Sequence, residues 1–202
     1  MTDPLALAGW RREIAALYTR IRGAGDPQNG WRGWRETRDR LFRAHPASPI
    51  PAARRADYAG IPVYPYDLAL RFACSIVAAE DPQSFTVEAG NDGAIIMHAV
   101  GRTAGLTQRL GGELTLYWID GYGGGLFLPF RDATCGGETY GGGRYLLDAI
   151  KGADLGMTED GRLILDFNFV YHPSCVHAPD WVCPLAPPEN DLPNAVRGGE
   201  RL

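Results

Sequence analysis

Between residues 68 and 171 the chain alternates short apolar runs with glycine-containing breaks, and this spacing constrains its fold more than any other feature. The β-rich runs cover residues 68–78, 84–88, 93–100, 102–110, 113–119, 125–129 and 163–171. All of these breaks except the last, at 130–162, are short, and short breaks favour antiparallel pairing, because a parallel connection needs a crossover of about a dozen residues or more. We therefore expect a mainly β domain, either an antiparallel β barrel or a sandwich.

Turn residues support this interpretation. Two of the breaks carry strong turn sequences, Asp81-Pro82 and Gly90-Asn91-Asp92-Gly93. The stretch 143–150 fits either a strand or a short helix. After Tyr171 the chain is rich in proline and has no regular period, so we expect a C-terminal strap that lies over the β domain.

The start of the chain has a helical period instead. Apolar residues recur there at steps of three and four, on one stripe of a helix that Asp3 and Pro4 can start and Gly23 can end. The stripe consists of Leu7, Trp10, Ile14, Leu17 and Ile21. After a loop at 26–30, we expect a second helix from Trp31 to Ala44. One face of this helix carries Trp31, Trp34, Arg38, Leu41 and Phe42.

These patterns divide the chain into a helical arm at 1–45, a proline-rich connector at 46–66 and a β domain with its strap at 67–202. The arm is basic, with eleven arginines against five acidic residues in 1–55, whereas 56–202 holds nine basic and nineteen acidic residues. Opposite charges favour packing of the arm on the β domain. The alternative is a structural or protein-interaction module whose basic helices dock on a partner. Burial of three tryptophans would weaken that alternative: Trp10, Trp31 and Trp34.

Composition and charge exclude several classes of protein. The net charge of -4 argues against a nucleic-acid partner, because dedicated nucleic-acid binders usually carry a basic excess. The longest apolar run, residues 72–79, is far shorter than the roughly 20 residues of a membrane span. Four cysteines are too few for a disulfide framework, and no basic-then-apolar leader begins the chain, so we expect a soluble, cytoplasmic protein. The sequence assigns neither a cofactor nor an oligomeric state.

Polar side chains that could bind a ligand or take part in catalysis are concentrated in residues 130–145 and 166–172. Arginine offers a planar fork for carboxylate or phosphate, while aspartate, asparagine and tyrosine can orient a polar ligand. We therefore expect a small-molecule site for a polar, anionic ligand at one end of the barrel. Its candidate residues are Arg131, Asp132, Thr134, Tyr140, Arg144, Asp166 and Asn168. If the protein is an enzyme, Asp132 or Asp166 would be the base and Tyr140 a hydrogen-bond donor.

The same residues have a structural interpretation. Arg144 could pair with Asp132 or Asp166 and tie loops to the barrel, as buried ion pairs often do. If residues 163–171 form one strand, Asp166 and Asn168 share a face, and the opposite face carries the aromatic side chains Phe167, Phe169 and Tyr171. The polar face then contacts solvent, a cavity or charged partners.

The C-terminal part offers a further alternative, a zinc-stapled loop. Its four potential ligands are His172, Cys175, His177 and Cys183. Their spacing matches no standard zinc finger or ribbon, so we expect no metal. Cys175 and Cys183 could instead form a disulfide, or act as nucleophiles beside a histidine. In a reducing cytoplasm we favour two packed, reduced thiols.

Several of these segments together resemble a known family, the bacterial and archaeal Domain of Unknown Function 1684 family. The motifs of the β domain that resemble it are Phe130–Thr134, Thr139–Gly141, Gly143–Leu146 and Leu165–Asn168. The strap adds Tyr171, Pro173, Cys175, Cys183–Leu185, Pro187–Asn190, Leu192-Pro193 and Gly198–Glu200. Upstream, the similar segments are Arg38–Phe42, Ser48–Ile50 and Tyr58–Pro65. His172 stands where the family usually has asparagine, and His177 stands where an aromatic residue is common. The resemblance implies no activity.

Overall fold

The computed structural model describes residues 3–88, 93–178 and 181–202. The turn predicted at Gly90-Asn91-Asp92-Gly93 lies outside the described residues except for Gly93. The helices are α1 (Pro4–Arg22), α2 (Pro27–Ala44) and the one-turn α3 (Thr107–Leu110). The strands are β1 (Arg71–Ala78), β2 (Ser84–Glu88), β3 (Ala94–Ala104), β4 (Thr115–Ile119), β5 (Gly125–Phe130), β6 (Arg144–Asp148) and β7 (Leu163–Asp166).

The strands form one antiparallel sheet. Their order is β6-β5-β4-β3-β1-β7, with β2 paired to the first half of β3. Tyr145 of β6 bridges to Tyr171, five residues beyond the end of β7, so the two ends of the sheet approach each other. The sheet is therefore nearly closed into a barrel, and the predicted fold class is confirmed.

Gly101 lies where β3 changes partner. Residues 94–98 of β3 pair with β2, and residues 101–104 pair with β1 on the same side. The register between β3 and β4 shifts between Ala99 and Gly101. A Cβ at Gly101 would lie 2.3 Å from the Val77 carbonyl oxygen, so only glycine permits this approach.

The two long helices begin at matching caps. The Asp3 side chain accepts the Leu5 N–H at 3.0 Å, and the Asp26 side chain accepts the Gln28 N–H at 2.9 Å. A proline follows each cap as the first helical residue, where its fixed φ suits the helix. The predicted loop at 26–30 is therefore wrong, because Asp26-Pro27 already starts α2.

The helical arm packs on the β domain. Trp34 is 1 % exposed and meets Phe169 edge-on, with ring centroids 5.7 Å apart. Trp31 is also buried, while Trp10 is half-buried. One apolar cluster joins the helices to strand residues, and a second joins the strands to the C-terminal strap. Neither α1 nor α2 is long and apolar enough to cross a membrane, and the same holds for every other helix in the described ranges.

Two predicted strands end earlier than expected. The 102–110 run is wrong beyond Ala104, because the Glu113 carboxylate accepts the backbone N–H groups of residues 105, 106 and 107 and fixes a turn before α3. The 163–171 run is wrong beyond Asp166, whose side chain accepts the Asn168 N–H at 3.0 Å and starts a 3₁₀ turn at Phe167–Phe169. The alternation of faces predicted for residues 166–171 therefore does not hold. The ambiguous stretch 143–150 contains β6 and the start of a 3₁₀ turn.

Candidate functional site

A cavity of about 170 Å³ lies between the helical arm, the connector and the C-terminal strap. Its walls are largely apolar and aromatic, which is typical of small-molecule pockets. From the arm and connector they include Leu7, Trp10, Arg11, Ile14, Tyr18, Arg38, Phe42, Ala47 and Pro49. From the β domain and strap they include Lys151, Ala153, Tyr171, His172, Ser174 and Trp181.

Arg38 is the buried cation of this cavity. Its Nε donates to Glu200 Oε1 at 2.9 Å, and its Nη2 donates to the same oxygen. Its guanidinium carbon lies 4.8 Å from the Tyr171 ring centroid and 5.0 Å from that of Phe42. Burial alone would lower the pKa of Arg38, but the charge and hydrogen bond of Glu200, together with the nearby Tyr18 and Tyr171, outweigh it and the pKa is raised. The side chain is therefore a permanent cation held in an aromatic setting.

Two phenols and one histidine supply neutral polar groups. The Tyr18 hydroxyl accepts the Trp34 indole N–H at 3.3 Å, and burial raises the pKa of Tyr18 to about 12. The Tyr171 hydroxyl donates to Asp148 Oδ2 at 3.3 Å, and burial raises its pKa as well. Burial lowers the pKa of His172 to about 4, so this ring is neutral near pH 7.

The charge of the lining has one sign. Arg11, Arg38 and Lys151 line the cavity, and no carboxylate does so among its described lining residues. The carboxylates that balance two of these cations stand outside that lining. Glu200 holds Arg38, and Asp148 Oδ2 lies 3.4 Å from Lys151 Nζ.

None of the seven residues predicted as ligand-binding lines this cavity. Three of them meet in a buried network. Arg144 Nη2 donates to Asp132 Oδ2 at 3.0 Å, and both side chains are 0 % exposed. The other Asp132 oxygen accepts the Thr134 backbone N–H at 3.1 Å and the Thr134 hydroxyl at 2.6 Å.

Arg144 also clamps the end of the strap. Its Nη1 donates to the Gly198 carbonyl at 2.6 Å and to the Glu200 carbonyl at 3.1 Å, and its Nη2 donates to the Val196 carbonyl at 2.7 Å. Burial lowers the pKa of Arg144, an effect that the Asp132 charge opposes. The hydrogen bonds of its two terminal nitrogens thus reach one carboxylate and three backbone carbonyls, which favours the structural interpretation of this pair.

Asp166 and Asn168 lie in a second cluster. Asp166 Oδ2 is 3.3 Å from Arg71 Nη1 and 3.4 Å from the Tyr66 hydroxyl, and burial raises the pKa of Asp166. Asn168 makes two hydrogen bonds with the backbone of Asp67. Its Oδ1 accepts from the Asp67 N–H and its Nδ2 donates to the Asp67 carbonyl, each at 2.8 Å. This cluster fixes the entry into β1.

Arg131 and Tyr140 lie apart from both clusters. Arg131 is half-exposed, with its Nε 3.6 Å from Asp191 Oδ2. The Tyr140 hydroxyl lies 4.0 Å from Cys175 Sγ, and the Tyr140 N–H donates to His172 Nε2 at 3.3 Å. The seven predicted residues thus fall into several separate groups instead of one pocket.

The four potential zinc ligands do not converge in the described residues, which contain no group of three or more His, Cys, Asp or Glu side chains placed to hold a metal. His172 accepts a backbone N–H, and His177 packs edge-on against Phe42, with ring centroids 5.0 Å apart. Burial raises the pKa of the Cys175 thiol, and the nearby Cys183 thiol adds to this effect.

Sequence reasoning did not single out Arg38 and Glu200 as site residues. Arg38 did carry a signal, because it shares the apolar face of α2 with Trp34 and Phe42. A charged residue on a buried stripe requires a partner, since an unpaired buried charge is very costly. The partner lies 162 positions away in the chain, and local patterns carry no information about such a pairing.

The fold and cavity define a class of protein, a nearly closed antiparallel β barrel covered by a basic helical pair. The chain belongs to the family described as "Protein of unknown function (DUF1684)", whose model matches residues 56–201. This confirms the resemblance found in the sequence. The matched range leaves out α1 and α2, and with them Arg38.

The solved structures that resemble the chain include one that is similar over most of its length. It is the solution NMR structure of the uncharacterized protein from gene locus rrnAC0354 of Haloarcula marismortui. The two chains are 30% identical, the TM-score is 0.59, and the match covers 87% of this chain and 94% of that one. No curated protein matches.

Proposed function

We propose that the protein binds a small organic carboxylate with an apolar body in the cavity beneath the helical arm. One observation carries the proposal: three cations and a largely apolar surface line the cavity, with no carboxylate among its described lining residues. Such a lining favours an anion whose remainder is hydrophobic. This proposal agrees with the anionic ligand expected from the sequence, but it places the ligand beneath the helical arm and not at the barrel end.

Size and polarity narrow the ligand class. A cavity of about 150 Å³ accommodates benzene, so about 170 Å³ suits a single ring or a short branched chain. The Arg38 hydrogen bonds within the described ranges use Nε and Nη2, which leaves Nη1 to donate to a bound carboxylate. The aromatic rings of Trp10 and Trp181 would then contact the apolar body.

We assign a structural role to the Arg144–Asp132–Thr134 network. Its buried groups donate and accept among themselves and to the strap, which supports scaffolding over ligand binding. The four cysteines are free thiols in the described residues, which supports a reducing, cytoplasmic location.

Calorimetric titration with benzoate and benzamide tests the proposal. The two compounds have nearly the same shape and differ in charge. We expect benzoate to bind at least about 10-fold more tightly, a difference of about 1.4 kcal/mol. Equal affinity, or no binding of benzoate at millimolar concentration, would contradict an anion site.

Three variants and one control locate the site. Arg11→Met removes a lining cation, whereas Arg12→Met removes the neighbouring exposed arginine, which is not in the lining. We expect only the first to weaken benzoate binding, and Lys151→Met to do the same. Ser174→Leu places an apolar side chain in the wall and is expected to block binding while the fold persists. Equal effects of Arg11→Met and Arg12→Met would show binding to the general basic surface of the arm.

A further inference from the structure

Three side chains on or next to neighbouring strands form a continuous hydrogen-bonded chain outside the cavity lining. Ser84 Oγ lies 2.7 Å from His98 Nδ1, and His98 Nε2 lies 2.6 Å from Asp120 Oδ2. The sheet register produces this arrangement, because Ser84 of β2 stands directly opposite His98 of β3. Asp120 follows β4, and its N–H donates to the Ile96 carbonyl at 2.9 Å.

The order of groups is that of a nucleophile, a base and an orienting carboxylate. In the neutral tautomer protonated at Nε2, His98 donates to Asp120 and offers the Nδ1 lone pair to the Ser84 hydroxyl. Either ring nitrogen of imidazole can accept a proton, so this tautomer gives His98 the role of general base. Asp120 then holds the ring and stabilises the imidazolium that forms.

A backbone donor stands beside the nucleophile. The Ala99 N–H donates to the Gln83 carbonyl at 2.9 Å, so residue 83 of this ladder faces β3. Because backbone groups alternate sides along a strand, the N–H of Ser84 points to the opposite edge of β2. No other strand of the described residues pairs with that edge. The N–H of the nucleophile itself is one of the donors that oxyanion holes use.

The surrounding surface is open and apolar. Trp118 of β4 stands opposite His98 and is 41% exposed, and Ile96, two residues before His98, is also 41% exposed. The Ser84, His98 and Asp120 side chains are themselves solvent-accessible. A substrate can therefore reach Ser84 without any rearrangement, and an aromatic or aliphatic acyl group can rest on Trp118.

We propose that Ser84 is a nucleophile that accepts acyl groups from small esters with an apolar acyl part. Ser84 Oγ forms a bond to the ester carbonyl carbon while its proton passes to His98 Nδ1. The tetrahedral intermediate then breaks its bond to the leaving alkoxide, which takes the proton from His98. Water, activated by the same nitrogen, attacks the acyl-serine, releases the carboxylic acid and returns the proton to Ser84.

This site is separate from the proposed carboxylate cavity, because none of its three residues lines that cavity. The proposal for Ser84 is therefore tested independently of ligand binding beneath the helical arm. Because the exposed site does not exclude water, we expect slow turnover of esters. The reactivity of Ser84 is therefore measured by a covalent trapping reaction.

An alkyl fluorophosphonate provides the trap, since Ser84 Oγ would form a bond to phosphorus as fluoride leaves and the proton passes to His98. We expect intact-protein mass spectrometry to show one phosphonyl adduct, mapped to Ser84 and absent from Ser84→Ala. The matched control is Ser75→Ala, which removes another exposed strand serine, on β1, and should leave labelling unchanged.

The partners of Ser84 give the second readout. We expect His98→Gln to slow labelling about 100-fold, the usual scale of general-base catalysis. Asp120 is a positioning residue, so Asp120→Asn should slow labelling about 10-fold or more while Asp120→Glu retains most of the rate. Circular dichroism checks that each variant is folded. Absence of an adduct, an adduct that survives Ser84→Ala, or a rate unchanged by His98→Gln would overturn the proposal.

Discussion

Two buried arginines hold opposite parts of one residue near the C-terminus of the chain. Arg38 pairs with the Glu200 carboxylate, while Arg144 donates to the Glu200 carbonyl at 3.1 Å. The Glu200 Oε2 atom also accepts the His172 N–H at 2.7 Å. Glu200 thus joins the helical arm, the strap and β6. We therefore expect substitutions at its neighbours Arg144 and His172 to change the stability of the fold.

Arg144→Ala is expected to destabilise the protein by about 3 to 5 kcal/mol, because it leaves the Asp132 carboxylate buried without its cation. Urea unfolding measures the loss. The control is Arg162→Ala, whose exposed pair with Asp160 should contribute less than about 1 kcal/mol. In the double variant with Asp132→Asn the two losses should be strongly non-additive. A loss below about 1 kcal/mol for Arg144→Ala would contradict the structural role.

His172 makes stability depend on pH. Burial lowers its pKa from 6.5 to about 4, so the unfolded chain takes up a proton in this range while the native protein does not. Stability therefore falls as pH drops from 6.5 to about 4, by about 3 kcal/mol for this group.

His172→Asn supplies the comparison for this pH dependence. Asparagine keeps a hydrogen-bond acceptor for the Tyr140 N–H and cannot take up a proton in this range. We expect the variant to lose less stability than the natural chain between pH 6.5 and 4, as measured by urea unfolding at several pH values. The lowered pKa of His177 and the raised pKa of Asp166 act in both proteins and cancel in the comparison. Parallel curves would show that His172 is not the responsible group.

At the scale of elements, Gly101 lies where β3 stops pairing with β2 and begins to pair with β1. In Gly101→Ala the new Cβ would approach the Val77 carbonyl at 2.3 Å, and backbone must shift. We expect a loss of about 2 to 3 kcal/mol. Gly33→Ala is the control, since Gly33 lies inside α2 with open space around it and should gain up to about 1 kcal/mol. Similar effects of the two substitutions on thermal unfolding would contradict the close approach of Gly101 to Val77.

The sequence predicted element types better than element ends. Glycine-separated apolar runs give the antiparallel sheet directly, and the caps at Asp3 and Gly23 bound α1 as expected. The ends of β3 and β7 depend on side chains that turn back on the backbone, Glu113 and Asp166. Such carboxylates resemble ordinary surface residues in a sequence, so both strands were predicted to end too late.

The candidate site was harder to predict than the fold. The sequence offered Asp132 or Asp166 as the partner of Arg144, and the structure pairs it with Asp132. The cavity depends on contacts between the arm and the strap, and the Arg38–Glu200 pair spans 162 positions. The Ser84–His98–Asp120 chain depends on strand register, which local patterns do not specify when strands change partners.

At the scale of the whole molecule, the Arg38–Glu200 pair locks the helical arm onto the barrel. Glu200→Gln is expected to cost about 3 to 5 kcal/mol, because the Arg38 charge stays buried without a counter-charge. The double variant Arg38→Met with Glu200→Gln should recover part of this loss, since it removes the stranded charge. Urea unfolding of both variants tests the lock, and a double variant that is less stable than Glu200→Gln would contradict it.

The carboxylate cavity is tested most directly by the indole N–H signals in a proton–nitrogen NMR titration with benzoate. The chain has five tryptophans, of which Trp10 and Trp181 line the cavity while Trp31 and Trp118 do not. We expect benzoate to shift the signals of Trp10 and Trp181 in a saturable manner and to leave those of Trp31 and Trp118 in place. Benzamide should need at least about 10-fold higher concentration for the same shifts. Saturable shifts centred on Trp31 or Trp118, or no shift at Trp10 and Trp181, would contradict a carboxylate site beneath the helical arm.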